Sequence, residues 1–459
     1  MEPRPNILFI LVDDLDLLLG TINYMPHLQK EIINNGASFE NTFITTPICC
    51  PSRVSFLKGQ FAHNHQIYTN NPPSGGFPKF AMLQTENSTL ATWLQQAGYH
   101  TALLGKYLNA YPMKEHRGYI PPGWNDWYVP AKGKPYTGLN YTLNINGEFV
   151  DHSDQPEDYI TDVITQKAIE IIERESLNPD PFFIELSYFA PHEPFTPASR
   201  HQNLFQGLQA PRTPSFNEAD VSDKPGRISF DHILNGHEIG EIDNIYRQRV
   251  RAMQSVDEAI PALIEALTNA GQLENTYIIF TSDNGFHLGQ HRDLEGKGSP
   301  YEEDIRVPFF IVGPDVPKNK KSEILISNVD FAPTIAHLAG IAPPTYVDGT
   351  SFAHILRSST SAIGADWREA ILIEFYGFSS DQEVVSPSYL ALRTSKYLYV
   401  EYLESNFREL YDLSLDPFQL NNIASNDNED LMEYLSNWLS LLAECVGDEC
   451  FSAEKAPPN

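Results

Sequence analysis

Two stretches of this chain limit its fold more than any other feature. Residues 6–14 read NILFILVDD and residues 277–285 read YIIFTSDNG. Each is a continuous apolar run rather than an alternating one, the pattern of a parallel strand buried on both faces. Each stops at acidic and amide side chains, Asp13 and Asp14 in the first, Asp283 and Asn284 in the second. Asp and Asn commonly end strands because they suit turns, so one such end means little. Two ends together mean more. In open α/β sheets ligands bind beyond the carboxyl ends of the strands, and if these strands are neighbours, three carboxylates and an amide oxygen converge there. Such a set is costly to assemble unless a cation neutralises it. The donors are hard oxygens, which suit Ca²⁺ or Mg²⁺ better than zinc.

Further strands are expected at 101–104, 181–189 and 307–313, and helices near 26–35, 87–98, 157–175 and 243–270. Because strands and helices alternate, the expected fold class is α/β, with a mainly parallel central sheet flanked by helices. Residues 112–156 suggest loops or a hairpin, and the proline-rich stretch 191–236 a long functional loop. After about residue 365 the character changes. Short strands at 370–375, 389–394 and 397–402 precede an amphipathic helix near 428–443. Two domains are therefore expected, an α/β catalytic domain over 1–365 and a small α+β subdomain with an antiparallel sheet over 366–459.

The formal net charge of -29 repels nucleic acid and anionic lipid, so neither is expected as a partner. An anionic substrate would need a local basic pocket against that field. No apolar run approaches the roughly 18 residues of a membrane span. The N-terminal apolar stretch is short and ends in acids, so it reads as a strand rather than a signal sequence. The chain as given is expected to be cytoplasmic, or a mature form whose leader is absent. Of four cysteines, Cys49 and Cys50 are adjacent, and a disulfide between them would be strained. Cys445 and Cys450 either form a short-loop disulfide, which would favour an oxidising compartment, or are two unpaired thiols. The sequons at Asn87 and Asn140 matter only for a secreted eukaryotic protein.

Residues 49–53 read Cys-Cys-Pro-Ser-Arg, followed by Val-Ser-Phe-Leu-Lys-Gly. Taken alone, a cysteine pair at a helix start is an ordinary core feature. Cys-x-Pro-Ser-Arg followed by Leu-x-Gly resembles the signature of the formylglycine-dependent sulfatases, in the alkaline phosphatase superfamily. The resemblance implies that a maturation enzyme converts Cys49 to Cα-formylglycine, with Cys50 in a variable position. The hydrated aldehyde then offers two hydroxyls. One attacks sulfur and takes the sulfate covalently, and the other loses its proton and expels it. The resemblance also implies one divalent cation, Ca²⁺ favoured and Mg²⁺ the alternative, held by Asp13, Asp14, Asp283, Asn284 and the modified Cys49. Arg53, one helical turn from Cys49, would steady the modified side chain and the acids. Lys58 stands where the family usually has Thr.

The resemblance covers almost the whole chain. Gly105-Lys106-Tyr107 resembles the element whose lysine binds sulfate, and Ala190-Pro191-His192 the element whose histidine contacts sulfate or the leaving oxygen. Lys297 resembles the second sulfate-binding lysine, and residues 409–417 resemble the family's C-terminal subdomain. The expected catalytic set is Cys49, Arg53, Lys106, His192 and Lys297, with His192 or Lys297 protonating the leaving alcohol. One departure stands out. Many members carry His two residues after the lysine, where this chain has Leu108 followed by Asn109. Asn109, His287 and His291 are further candidates for substrate contact, with His287 a nearby imidazole. His63 and His65 are expected to pack locally. The motifs are closest to the glucosamine-6-sulfatase and arylsulfatase branch, which implies a sulfated sugar or aryl sulfate as substrate. Two rivals are a phosphonate monoester or phosphodiester hydrolase of the same superfamily, and a non-catalytic binder of sulfated glycans.

Overall fold

Side-chain alternation explains why β1 (Asn6–Val12) must be apolar along its length. Ile7, Phe9 and Leu11 enter one buried cluster with Phe56, Leu57 and Phe331. Leu8, Ile10 and Val12 enter another with Ile164, Met253 and Ile260. Both faces of the sheet are thereby covered, and each such side chain contributes about 1.5–3 kcal/mol on burial. The structure is a computed structural model that describes residues 4–114, 116–225, 232–357, 366–377, 379–380, 383–384 and 387–457.

The central sheet continues with β2 (Ala37–Phe43), β3 (His100–Gly105), β4 (Asp126–Gly133), β5 (Tyr141–Ile145), β6 (Glu148–His152), β7 (Phe182–Ser187), β8 (Thr276–Ser282), β9 (Phe309–Val312) and β10 (Lys320–Ser327). Their spatial order is β10-β2-β9-β8-β1-β7-β3-β4-β5-β6. β1 runs parallel to both β7 and β8, with Val12 opposite Ser282. Within this sheet β5 and β9 run against the rest, so the sheet is mainly parallel, as expected. Helices Cys49–Lys58, Leu90–Gln96 and Phe331–Leu338 cover one face. Helices Pro26–Glu31, Ile160–Glu175 and Gly236–Asn269 cover the other. The last of these begins well before residue 243, because Asn235 and Glu238 form a capping box ahead of it. No helix among the described residues is long and apolar enough to cross a membrane.

A separate antiparallel sheet follows. β11 (Ala370–Phe375) is succeeded by the two-residue pair β12 (Ser379–Ser380) and β13 (Glu383–Val384), then β14 (Tyr389–Thr394), β15 (Tyr397–Tyr402) and β16 (Arg408–Asp412). The order is β11-β14-β15-β16. One face packs on Phe43, Ile48 and Tyr301 of the main body, the other on Leu435, Trp438 and Leu439 of helix Glu429–Glu444. Glu374 ties the two parts together, accepting from the Ala62 N–H at 2.5 Å and meeting His63 Nδ1 at 3.1 Å. His65 packs locally against Ser55, Nε2 to Oγ 3.0 Å. Cys445 and Cys450 form a disulfide, and Cys49 and Cys50 are free. The expected domain boundary at 365/366 falls against residues 358–365, which lie outside the described residues, as do the terminal Pro458 and Asn459.

Candidate active site

The parallel pairing of β1 with β8 sets the acids side by side. The Asp14 N–H donates to Asp283 Oδ1 at 3.0 Å, and Asn284 Nδ2 donates to Asp14 Oδ1 at 2.8 Å. Asp13, Asp14, Asp283 and Asn284 are all buried. Helix Cys49–Lys58 points its first residue at them. Cys49 Sγ lies 3.4 Å from Asp13 Oδ1 and 3.9 Å from Asp14 Oδ1. The helix is buried throughout and ends at Gly59, whose φ of +64° and close approach to Val347 leave no room for a Cβ.

Cations close the cluster. One turn along that helix, Arg53 donates from Nε to Asp283 Oδ2 at 2.8 Å and from Nη1 to Ser187 Oγ at 2.6 Å and the Lys106 carbonyl at 3.0 Å. It thereby links the ends of β8, β7 and β3. Lys106, just past β3, places Nζ 2.5 Å from Asp13 Oδ2. Lys297 pairs with Asp14 and sits 2.8 Å from Cys49 Sγ. His192, beyond β7, holds Nε2 at 3.6 Å from Asp14 Oδ2 and is 22% exposed. It and Lys297, which is 15% exposed, are the members of the group that reach accessible surface. The structure thus brings together every residue expected as catalytic and every residue expected as a metal ligand.

Burial alone would raise the Asp13 carboxyl, but Lys106, His192, Arg53 and Lys297 outweigh it and hold it below the usual range. Asp14 is likewise held down, against burial, by Lys297 and His192. Burial and then the Asp13 charge push Asp283 up. The Cys49 thiol is pushed up to about 12, first by burial and then by Asp13. As encoded it is therefore a poor nucleophile near neutral pH. Three carboxylates are matched by Arg53, Lys106 and Lys297. A divalent cation entering alone would leave this balanced set positively charged, and an anion bound beside it would offset part of that excess.

The donor set fits such a cation. Asp13, Asp14, Cys49 and His192 each offer a potential ligand atom within 4.8 Å of one another. Asn284 Oδ1 is buried without a hydrogen-bond partner. An orphaned amide oxygen beside three carboxylates is costly, and a hard cation relieves it.

The remaining candidates lie further out. His287 directs Nδ1 to Asp304 Oδ1 at 2.8 Å, and its backbone pairs with Gly296, one residue before Lys297. His291 directs Nδ1 to Glu218 Oε2 at 2.7 Å and packs on Tyr301. Among the described residues, no hydrogen bond joins either histidine to Cys49 or its acids. Asn109 lends its carbonyl to the Phe77 N–H at 2.8 Å, and its own Oδ1 is buried and unpartnered. Leu108 is buried in the apolar core. Lys58 donates to the Ser88 carbonyl at 2.8 Å and lies over the Tyr346 ring. Two contributors escaped sequence reasoning. Ser187 receives Arg53, and Tyr136 lies against Lys106 and His192. Neither belongs to a motif.

Residues 5–341 match the family model described as Sulfatase, and residues 289–444 the one described as N-sulphoglucosamine sulphohydrolase, C-terminal. A putative extracellular sulfatase Sulf-1 homolog of Caenorhabditis elegans is 39% identical over 82% of this chain, and the chain spans 53% of that relative's length. N-acetylglucosamine-6-sulfatase of Capra hircus is 33% identical over 97% of this chain and 85% of its own. Among solved structures, one in complex with its substrate D-glucosamine-2-N,6-O-disulfate superposes at TM-score 0.81, with 25% identity over 95% of this chain and 97% of the other. Phosphonate monoester hydrolase of Agrobacterium radiobacter shares the fold at TM-score 0.73 and 21% identity, covering 96% of each chain.

Proposed function

The chain belongs to the sulfatase family, and from that premise we propose that it is a sulfuric ester hydrolase whose nucleophile is made from Cys49. The observation that carries this reading is the position of Cys49 where the acids and cations meet, 3.4 Å from Asp13 and 2.8 Å from Lys297. Its Sγ stands in for the carbonyl group of Cα-formylglycine. Once hydrated, that group supplies one hydroxyl to attack sulfur and a second whose deprotonation expels sulfate. A divalent cation, Ca²⁺ in preference to Mg²⁺, would supply Lewis acidity at Asp13, Asp14, Asp283, Asn284 and residue 49.

The chain's own groups do the rest. Lys106 and Lys297 draw the anionic ester into the cleft against the surface charge. Arg53 holds Asp283 and the start of its own helix in register. His192, on the open side, faces the departing alcohol and donates a proton to it. The maturation enzyme that converts Cys49 is an implied partner. The names of the N-acetylglucosamine-6-sulfatase relative and of the disulfated glucosamine complex support a sulfated amino sugar as substrate.

A second reading, phosphonate monoester or phosphodiester hydrolysis, is favoured by the shared fold of the phosphonate hydrolase. Both readings meet one experiment. Mass spectrometry of the peptide around Cys49 should find formylglycine, and the same sample should prefer nitrophenyl sulfate to phosphorus esters. Cys49→Ala should lower turnover at least about a thousandfold while keeping the fold. Near-wild-type turnover in that variant would remove Cys49 from the mechanism, and a strong preference for phosphorus esters would select the second reading.

A further inference from the structure

Tyr136 belongs to no motif, yet it walls the candidate site. It lies in the turn Pro135–Thr137, between β4 and β5. Lys106 Nζ is 5.3 Å from its ring centroid. The His192 ring lies 4.6 Å away, and Phe189 meets it edge-on at 5.0 Å. Each polar neighbour is itself anchored, Lys106 by Asp13 and His192 by Asp14. The ring is therefore held in one place by groups that have other reasons to be where they are.

The hydroxyl is another matter. Among the described residues it has no hydrogen-bond partner, and it is not among the sealed, unpartnered polar atoms either. It therefore faces accessible space. Tyr136 is partly buried, and a tyrosine hydroxyl in such a place usually finds a partner. Here the ring is wedged between two groups suited to holding an anion, so a ligand is the natural source of that partner. Leu108 is turned into the apolar core, so the position two residues after Lys106 brings no polar group to this wall.

We propose that Tyr136 is a substrate-contacting residue whose hydroxyl donates a hydrogen bond to an oxygen of the bound sulfate group, while its ring forms the wall between Lys106 and His192. This rests on the sulfate-ester reading given above. A neutral donor adds affinity and orientation without further positive charge beside Lys106 and Lys297. It also adds a direction that a flexible ammonium does not impose.

Tyr136→Phe tests the hydroxyl alone, because the ring and its packing on Lys106 and His192 remain. The comparison uses full-length protein shown by mass spectrometry to carry formylglycine, with its metal bound. Two quantities are measured, the affinity for inorganic sulfate by titration calorimetry and kcat/KM for nitrophenyl sulfate. Both should fall roughly 10- to 100-fold, the loss expected for one hydrogen bond to a charged group, with the thermal midpoint unchanged. A residue that only packs predicts no change in either quantity, and that result overturns the proposal. Wild-type protein that binds sulfate but hydrolyses no sulfate ester counts against the functional reading instead, and the calorimetric comparison still decides for or against Tyr136.

Discussion

Arg53 is held on three sides by Asp283, Ser187 and the Lys106 carbonyl, yet its Nη2 is buried without a partner. Glu185 lies two residues before Ser187 on the same face of β7, and its Oε2 is equally unpartnered. Burial pushes this carboxyl up to about 8, and Arg53 opposes the shift without cancelling it. The unfolded carboxyl releases its proton near 4.5, while the folded one keeps it up to about 8. Within that window the folded state binds the extra proton, so stability falls as pH rises, by at most about 1.4 kcal/mol per unit. Glu185→Gln keeps the shape and removes the titration. Its stability relative to wild type should therefore rise between pH 5 and pH 8, read from urea unfolding at both; a constant difference would show no such linkage. At this scale much of the site was legible. Cys49, Arg53, Lys106 and His192 sit in short motifs at a helix start or just past a strand end, and Lys297 in the loop that leads to helix Glu302–Ile305. Tyr136 and Ser187 were not legible, because only the packing of distant segments gives them a place.

The elements that were legible are those whose burial is carried by their own composition. β1, β7 and β8 are buried along their whole length and rich in apolar residues, and they read directly as strands. β2 and β10 were not anticipated. Their sequences, ASFENTF and KKSEILIS, mix polar and apolar residues, and their pairing is fixed by each other and by β9. β9 is also shorter than 307–313 and runs antiparallel, which no local pattern reveals. Gly105 shows what a strand end requires. It closes β3 at φ +100°, where an added Cβ would lie 1.9 Å from the Ser187 carbonyl oxygen. Gly105→Ala must therefore move β3 away from β7 and take Lys106 with it. The expected cost is about 2 kcal/mol or more, with turnover falling alongside. Urea unfolding and steady-state kinetics check it; wild-type values in both would mean that the strand end relaxes freely.

Over the whole molecule the charge pattern has two ranges. The surface carries the bulk of a net charge of -29 and repels an anionic substrate at long distance. Arg53, Lys106 and Lys297 act only at contact. Salt screens the first more than the second, since the Debye length is about 10 Å at 0.1 M and buried pairs are screened far less. Raising ionic strength from about 10 mM to about 150 mM should therefore increase kcat/KM for an anionic sulfate ester. A fall across that range would mean that the local cations already dominate the approach. The overall architecture, a mainly parallel sheet followed by a small antiparallel one, was legible from the order of elements. The way the second sheet clasps the first through Glu374 and His63 was not, because that contact joins residues 311 positions apart.

Helix Cys49–Lys58 is buried from end to end, and Cys49 has 0% of its surface exposed. A maturation enzyme acting on Cys49, as proposed above, would find neither that side chain nor the rest of its helix exposed in the folded protein. The proposed conversion of Cys49 would then have to come before the helix docks. Activity would be decided during biosynthesis, as a race between modification and folding. Molecules that fold first would keep their thiol, indistinguishable in shape from the active ones and beyond later repair.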